Sequence, residues 1–142
     1  MIKNIEISLH FSDNYEGPGK FINNSGGDNM NKVLLKEIVN ILIKQAKLGQ
    51  TVTYGELSNK INGEISPQGF YNPLVMISEC AERNNYPKLS ALVVNSQTGM
   101  PGRGFFVNFA PGIPEHKWIE LWNNECFDIM VYDDWDSFLR FF

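Results

Sequence analysis

The chain has few of the residues that metal centres and disulfide frameworks need. Its 142 residues include two cysteines and two histidines. Cys80 and Cys126 belong to no CxxC pair, and no histidine lies at ligand spacing from either. These absences argue against a structural zinc site and against a disulfide-stapled secreted domain. We therefore predict two reduced, buried thiols, with no bound metal and no cofactor.

Long apolar runs are missing as well. No stretch approaches the roughly 18 to 20 apolar residues that a membrane-spanning helix needs. The opening sequence MIKNIEISLHF has no long apolar core followed by small residues, so it does not resemble a signal peptide. We expect a cytoplasmic protein that makes no membrane contact.

An excess of positive charge is also absent, because the formal net charge is −4. The deficit belongs to residues 111–142, which hold two basic residues against seven acidic ones. A nucleic-acid surface would therefore have to lie within the first 110 residues. The overall balance argues against strong non-specific DNA binding.

The patterns that are present predict one domain over residues 1–142. An alternating IEISLHF segment predicts an N-terminal strand, and a Gly- and Asn-rich loop follows it. The 3.6-residue apolar spacing that begins at Leu34 predicts a helix capped by Asp28 or Asn29 and stopped by Gly49.

Two further helices are predicted from their start signals. Thr53 and Glu56 have the spacing of a capping box, which predicts a short helix from Tyr54 to about residue 62. Gly55 lies in its first turn, where close approach of another backbone is one reason to tolerate glycine. Asn72 and Pro73 predict the start of a third helix, which ends before Pro87.

The segment YPKLSALVVNSQTGMPGRGFF predicts a β-hairpin. Residues 89–94 alternate as one strand, Phe105, Val107 and Phe109 alternate as the other, and the glycines at 99, 102 and 104 suit positive backbone torsions. These glycines separate two predicted strands and do not open a helix, so the pattern is not that of a nucleotide-binding loop. A fourth helix is predicted from about residue 115 to 129.

The order of these elements predicts an α+β fold. Its core, at about residues 30–110, resembles a winged helix-turn-helix, with an N-terminal strand before it and a C-terminal helix in an aromatic, acidic extension over residues 111–142. Three helices and a hairpin also pack together for stability alone in many small folds, and this alternative stays open.

One segment resembles a known family. GQTVTYGELSNKI is similar to the opening of the DNA-binding domain of alkylguanine-DNA alkyltransferases and alkyltransferase-like proteins, and VVNSQTGMPG is similar to their paired valines and following glycines. The likeness covers roughly residues 33–106. LSALVVN and the glycines after it also resemble small, largely uncharacterised bacterial proteins.

The family's chemistry is not expected here. Its reactive Pro-Cys-His-Arg precedes the paired valines, where this chain has Leu89, Ser90, Ala91 and Leu92. Alkyl transfer needs an activated thiolate, and Ser90 supplies a hydroxyl with no neighbouring base. The resemblance therefore implies a non-catalytic DNA-associated module.

The resemblance also implies where DNA contacts would lie. Thr53 and Tyr54 occupy the family's backbone-contacting positions, and other polar or basic side chains extend the predicted surface. The predicted nucleic-acid residues are Thr53, Tyr54, Lys60, Arg83, Lys88, Asn95 and Arg103. For each of them, a solvated surface role is the competing interpretation.

The alternative function is a protein-interaction or inhibitory module that acts on a nucleic-acid enzyme, as in bacterial defence or phage counter-defence. It rests on the aromatic, acidic C-terminal region, with predicted partner contacts at Trp118, Trp122, Trp135 and Phe141. The competing interpretation is that these aromatics close the core against the first helix. The acids Asp133, Asp134 and Asp136 with Glu125 suggest a divalent-metal site less strongly than a solvated terminus.

Overall fold

The computed structural model describes residues 28–142, and the side chains from residue 32 onward. The strand predicted at IEISLHF and the loop after it lie outside the described residues. The described helices are α1 Asp28–Leu48, α2 Tyr54–Lys60, α3 Tyr71–Arg83, α4 Arg103–Phe109 and α5 Trp118–Val131. Two short strands, β1 Val52–Thr53 and β2 Val93–Val94, complete the regular structure with four 3-10 turns at Pro67–Gly69, Leu89–Leu92, Glu115–Lys117 and Trp135–Phe141.

Helix α1 is the centre of the core. Ile38, Val39 and Leu42 are fully buried, as the predicted apolar spacing requires. The helix packs against α3, α5, the turn Leu89–Leu92 and the C-terminal turn Trp135–Phe141. It ends where Gly49 adopts a φ of 70°, so the predicted glycine stop is confirmed.

The capping box of α2 is also confirmed. The Glu56 backbone N–H donates to Thr53 Oγ1 at 3.0 Å, and the Thr53 N–H donates to Glu56 Oε1 at 2.9 Å. The explanation offered for Gly55 was wrong, because a Cβ at this position would meet no atom within 4 Å. Gly55 is therefore not required by a close backbone contact.

The predicted hairpin does not form. Strand β1 pairs in parallel with β2, with Val52 opposite Val93 and Thr53 opposite Val94. All four residues of Leu89–Leu92 are buried, because this 3-10 turn passes through the core and has no solvent face. The alternating sequence pattern of residues 89–94 was therefore not a valid signal of a strand with one solvent-facing side.

The predicted return strand is helix α4. Phe105, Val107 and Phe109 alternate, but the buried residues of α4 are Phe106 and Asn108, and Ala110 at its C-cap is buried as well. Five residues are too few for an apolar period to distinguish strand from helix. The fold is therefore mixed α and β, as predicted, with a parallel two-stranded sheet in place of the hairpin.

The glycine-rich segment is a closed loop before α4. The Asn95 N–H donates to the Met100 carbonyl and the Gly99 N–H donates to the Asn95 carbonyl, each at 2.8 Å. Gly99 has the predicted positive φ of 73°, whereas Gly102 has a φ of −67° and caps α4. The prediction of positive torsions was thus correct for Gly99 and wrong for Gly102 and for Gly104, which lies within α4.

Within residues 28–142, none of the helices is both long enough and apolar enough to cross a membrane.

Candidate functional site

A cavity of about 220 Å³ opens between α3 and α4. The first residue of α2, the turn Pro67–Gly69 with Phe70, the segment that enters β2 and Gly102 supply its remaining walls. Most of the exposed lining area is apolar, although polar and charged side chains from several elements also line the cavity. This combination is typical of sites that bind small organic groups.

Aromatic rings form much of the wall. Phe70 is fully buried behind the cavity, and Phe105 stacks on Phe109 with ring centroids 5.2 Å apart and planes inclined by 21°. Tyr71, the first residue of α3, lines the same space. Rings from α3 and α4 thus offer flat apolar surfaces to a bound group.

Glycine in α4 permits its close approach to α3. A Cβ at Gly104 would lie 2.7 Å from Cε1 of Tyr71, so a larger residue would displace that ring. The Asn108 side chain then joins the two helices, since its Nδ2 donates to Tyr71 Oη at 2.7 Å and to the Gly104 carbonyl at 2.8 Å. The local sequence of α4 therefore fixes the shape of the cavity.

Tyr54 connects α2 to the loop before α4. Its hydroxyl accepts a hydrogen bond from the Gly102 N–H at 3.0 Å. Burial raises the pKa of Tyr54, and this hydrogen bond partly opposes the shift. The residue is a neutral wall of the cavity at ordinary pH.

Ser90, at the position of the family's reactive cysteine, lines the cavity and is buried. Its partner is the Ser78 hydroxyl of α3, with which it forms a short hydrogen bond. The absent histidine is not replaced by any base hydrogen-bonded to Ser90 within residues 28–142. Within the described residues, the hydrogen-bond partner of the Ser90 hydroxyl is therefore another hydroxyl and not a base.

Lys88 is the most unusual side chain of the site. The residue is only 6% exposed and lines the cavity, and its Nζ lies 5.2 Å from the centroid of the Phe109 ring. Its backbone N–H donates to Glu125 Oε2 at 2.6 Å. Lys88 was predicted to contact phosphate at the surface, but its side chain is buried.

The predicted nucleic-acid residues do not form one surface patch. Thr53 and Asn95 use their side chains locally, Thr53 in the capping box and Asn95 to accept from the Gln97 N–H at 2.7 Å. Arg103 pairs with Glu115 at 2.7 Å and lies over the Trp118 ring. Only Tyr54 and Lys88 share the cavity, while Lys60 and Arg83 are exposed at the ends of α2 and α3.

The predicted partner residues are largely structural. Trp135 is 2% exposed and donates its ring N–H to the Ile129 carbonyl, so it is not available to a partner. Trp118 stacks on Phe106 with centroids 4.6 Å apart, and Trp122 donates to the Ala91 carbonyl at 2.8 Å. Phe141 alone among the four keeps a substantial exposed fraction. Trp135 thus lies in the core and Trp122 packs against it, while Trp118 stacks on Phe106 of α4.

Sequence reasoning missed both Asn108 and Tyr71 as site residues. A glycine four residues before Asn108, with two phenylalanines between them, was the available signal, but this spacing had meaning only for a helix. The exposed apolar residues of α5, Ile119, Phe127 and Val131, were also missed.

No group of three or more His, Cys, Asp or Glu residues within 28–142 is arranged to hold a metal ion.

Comparison of the chain with family models, curated proteins and solved structures finds no match. The resemblance to alkyltransferase-like proteins therefore stays a prediction.

Proposed function

We propose that the chain is a non-catalytic, cytoplasmic DNA-associated module with a helix-turn-helix-type core in α1 to α3. The supporting observation is the cavity between α3 and α4, whose wall includes Tyr54, one of the predicted DNA contacts. Its aromatic walls and buried polar groups suit a nucleobase that has left the base stack. An apolar cavity of about 150 Å³ accepts benzene, so 220 Å³ has room for one ring with substituents.

The charges around the cavity predict weak association. Glu79 and Glu82 of α3 line the cavity and repel phosphate, and Arg103 is already paired with Glu115. Few cations then remain to release counterions from DNA. We expect binding at low salt, with a shallow dependence on salt concentration.

Fluorescence anisotropy with labelled oligonucleotides tests this proposal. We expect a duplex with a mismatched, easily unstacked base to bind more tightly than a fully paired duplex of the same sequence, because its base leaves the stack at lower cost. Phe105→Ala removes an aromatic wall and is expected to abolish the preference. Lys117→Ala, an exposed charge outside the cavity, is the control.

The absence of any anisotropy change at low salt would contradict DNA association itself. Equal affinity for both duplexes would be consistent with electrostatic DNA binding, but it would contradict binding of an unstacked base in the cavity.

A second candidate function is a module that binds a nucleic-acid-processing protein. The observation that favours it is an apolar stripe on α5, formed by Ile119, Phe127 and Val131, with Phe127 66% exposed. Their spacing in multiples of four places them on one helix face. Phe127→Ser is expected to abolish capture of such a partner in a pull-down without unfolding the chain, and Asn123→Ser is the matched control on the same face.

A further inference from the structure

The side-chain amide of Asn108 has an acceptor that the described residues do not use. Asn108 is only 6% exposed, and its Nδ2 donates to Tyr71 Oη and to the Gly104 carbonyl. Because the Gly104 carbonyl can only accept, the side-chain atom beside it is the nitrogen, and the other atom is the oxygen Oδ1. Among residues 28–142, no donor is hydrogen-bonded to Oδ1. A buried acceptor is expected to have a partner, and Asn108 lines the cavity.

The two serines of the cavity have a donor to spare. Ser78 and Ser90 share one hydrogen bond, and each hydroxyl carries one hydrogen, so one hydrogen of the pair is left over whichever of them donates. Within the described part of the chain, neither hydroxyl has a further hydrogen-bond partner. Ser90 is 4% exposed, and both serines line the cavity. The cavity therefore offers a hydroxyl donor as well as an amide acceptor to a bound molecule.

The charged groups of the cavity already have partners within the protein. Burial raises the pKa of Glu125, and the backbone N–H and the ammonium group of Lys88 oppose that shift, so the Glu125 carboxylate interacts with the Lys88 charge. Burial also raises the pKa of Glu79, and the Arg83 guanidinium opposes that shift. Glu82 has an interaction of its own. An ionic ligand would lose hydration without gaining a free counter-charge, so the cavity favours an uncharged ligand.

The aromatic wall supplies the remaining constraint on the ligand. The stacked rings of Phe105 and Phe109 line the cavity and suit a flat apolar ring. We propose that the cavity binds a small uncharged aromatic carboxamide. Its ring lies against Phe105 and Phe109, its carbonyl accepts from the Ser78–Ser90 pair, and its N–H donates to Asn108 Oδ1. Binding of such a molecule does not depend on DNA association, although it would exclude a nucleobase from the same space.

Calorimetric titration of the full chain, without DNA, tests the proposal with four planar compounds of nearly equal size. Benzamide has both the carbonyl and the N–H, and acetophenone replaces the amino group by a methyl group. Benzoate is the corresponding anion, and benzamidine is a cation without the carbonyl. Benzamide is expected to bind more tightly than each of the others by about fivefold or more, because acetophenone leaves Asn108 Oδ1 without a donor and the two ions lose hydration.

Asn108→Leu locates the N–H contact. The variant keeps a side chain of similar size without Oδ1, and it is expected to remove the preference for benzamide while acetophenone affinity stays close to that of the unmodified chain. Retained acetophenone binding shows that the cavity is still formed, so a merely structural role of Asn108 would give a different result. Asn59→Leu, the same change at an exposed position of α2 outside the cavity, is the matched control.

A double variant, Ser78→Ala with Ser90→Ala, locates the carbonyl contact. It removes the spare hydroxyl hydrogen and leaves the hydrogen bonds of Asn108 in place. Affinity for benzamide and for acetophenone is expected to fall by the same factor, about threefold or more, because both compounds present the same carbonyl.

No benzamide binding up to about ten millimolar, or equal affinity for benzamide and acetophenone, would overturn the proposal. So would tighter binding of benzoate or benzamidine, or a benzamide preference that Asn108→Leu leaves intact. Unchanged benzamide affinity in the double serine variant would overturn it as well, including where Asn108→Leu binds neither compound. Because DNA is absent from these titrations, their failure is separate from failure of the DNA proposal.

Discussion

Among single residues, Glu125 has the clearest electrostatic consequence. Its carboxylate on α5 accepts from the Lys88 N–H at 2.6 Å, yet burial raises the pKa of Glu125 above 4.5. The N–H and the ammonium group of Lys88 oppose this shift without cancelling it. The folded protein therefore holds a proton on Glu125 more tightly than the unfolded chain does.

This shift fixes the sign of a pH dependence. Because the folded pKa of Glu125 is the higher one, its contribution to stability is complete below pH 4.5 and is lost as the pH rises through the folded pKa. Glu125→Gln keeps an acceptor for the Lys88 N–H and does not titrate. The free energy of unfolding is measured by urea titration for this variant and for the unmodified chain. The difference, variant minus unmodified chain, is expected to increase from pH 4.5 to pH 7.

Glu120→Gln is the control, since Glu120 is an exposed residue of the same helix. Its unfolding free energy is expected to run parallel to that of the unmodified chain across this pH range. A parallel curve for Glu125→Gln as well would contradict the assigned pKa shift.

At the scale of elements, the helices with long patterns and distinct end signals were predictable. Helix α1 spans 21 residues with apolar spacing from Leu34 onward, and Gly49 marks its end. Helix α4 was not predictable, because it has seven residues and its N-cap is Gly102, which supplies no side-chain hydrogen bond. The cavity was missed for the same reason, since its shape depends on α4 packing against α3 through Gly104 and Asn108.

The capping box gives a prediction for α2. Thr53→Ala removes the acceptor for the Glu56 N–H and is expected to cost about 1 kcal/mol of unfolding free energy. Thr53→Ser keeps the acceptor and is expected to stay close to the unmodified chain. Thermal or urea unfolding measures both, and equal stability of the two variants would contradict the capping role. Thr53→Ala is thus a poor probe of DNA contact, because it also weakens α2.

Alanine substitutions at Gly55 and Gly104 distinguish the effect of helix propensity from the effect of a steric clash. Gly55→Ala meets open space and is expected to add up to about 1 kcal/mol of stability. Gly104→Ala is expected to destabilise the chain, because its Cβ displaces the Tyr71 ring and breaks the Asn108–Tyr71 hydrogen bond. Urea unfolding measures both changes.

A double-mutant cycle checks the cause assigned to Gly104. In a Tyr71→Ala background the ring is gone, so Gly104→Ala is expected to lose its destabilising effect. The same cost in both backgrounds would show that Tyr71 is not the contact that requires glycine.

At the scale of the whole molecule, the C-terminal turn Trp135–Phe141 completes the core. Phe138 is fully buried, and Tyr86 joins the turn through a hydrogen bond of 2.6 Å to Ser137. The turn also packs on α1, at whose end Lys47 pairs with Asp136 at 2.8 Å. The C-terminal turn is therefore part of the packed fold.

The energetic contrast within this turn is testable. Phe138→Ala leaves a cavity and is expected to cost about 3 to 5 kcal/mol. Asp136→Ala removes only an exposed ion pair and is expected to cost less than about 1 kcal/mol. Urea unfolding distinguishes these outcomes, and a small cost for Phe138→Ala would contradict its place in the core. Tail truncation would unfold the protein, so point variants on α5 are the better probes of partner binding.

The parallel pairing of β1 with β2 has a consequence for the order of folding. Helices α2 and α3 lie between these strands in the chain, so the ladder closes a long loop that contains both. Loop closure of this kind carries an entropic cost that local helix formation does not, and such contacts slow folding. Tyr54 directly follows β1, and the loop to α4 follows β2, so the ladder brings two segments that line the cavity next to each other. We therefore expect the cavity to be completed late in the folding reaction, after the helices that surround it have formed.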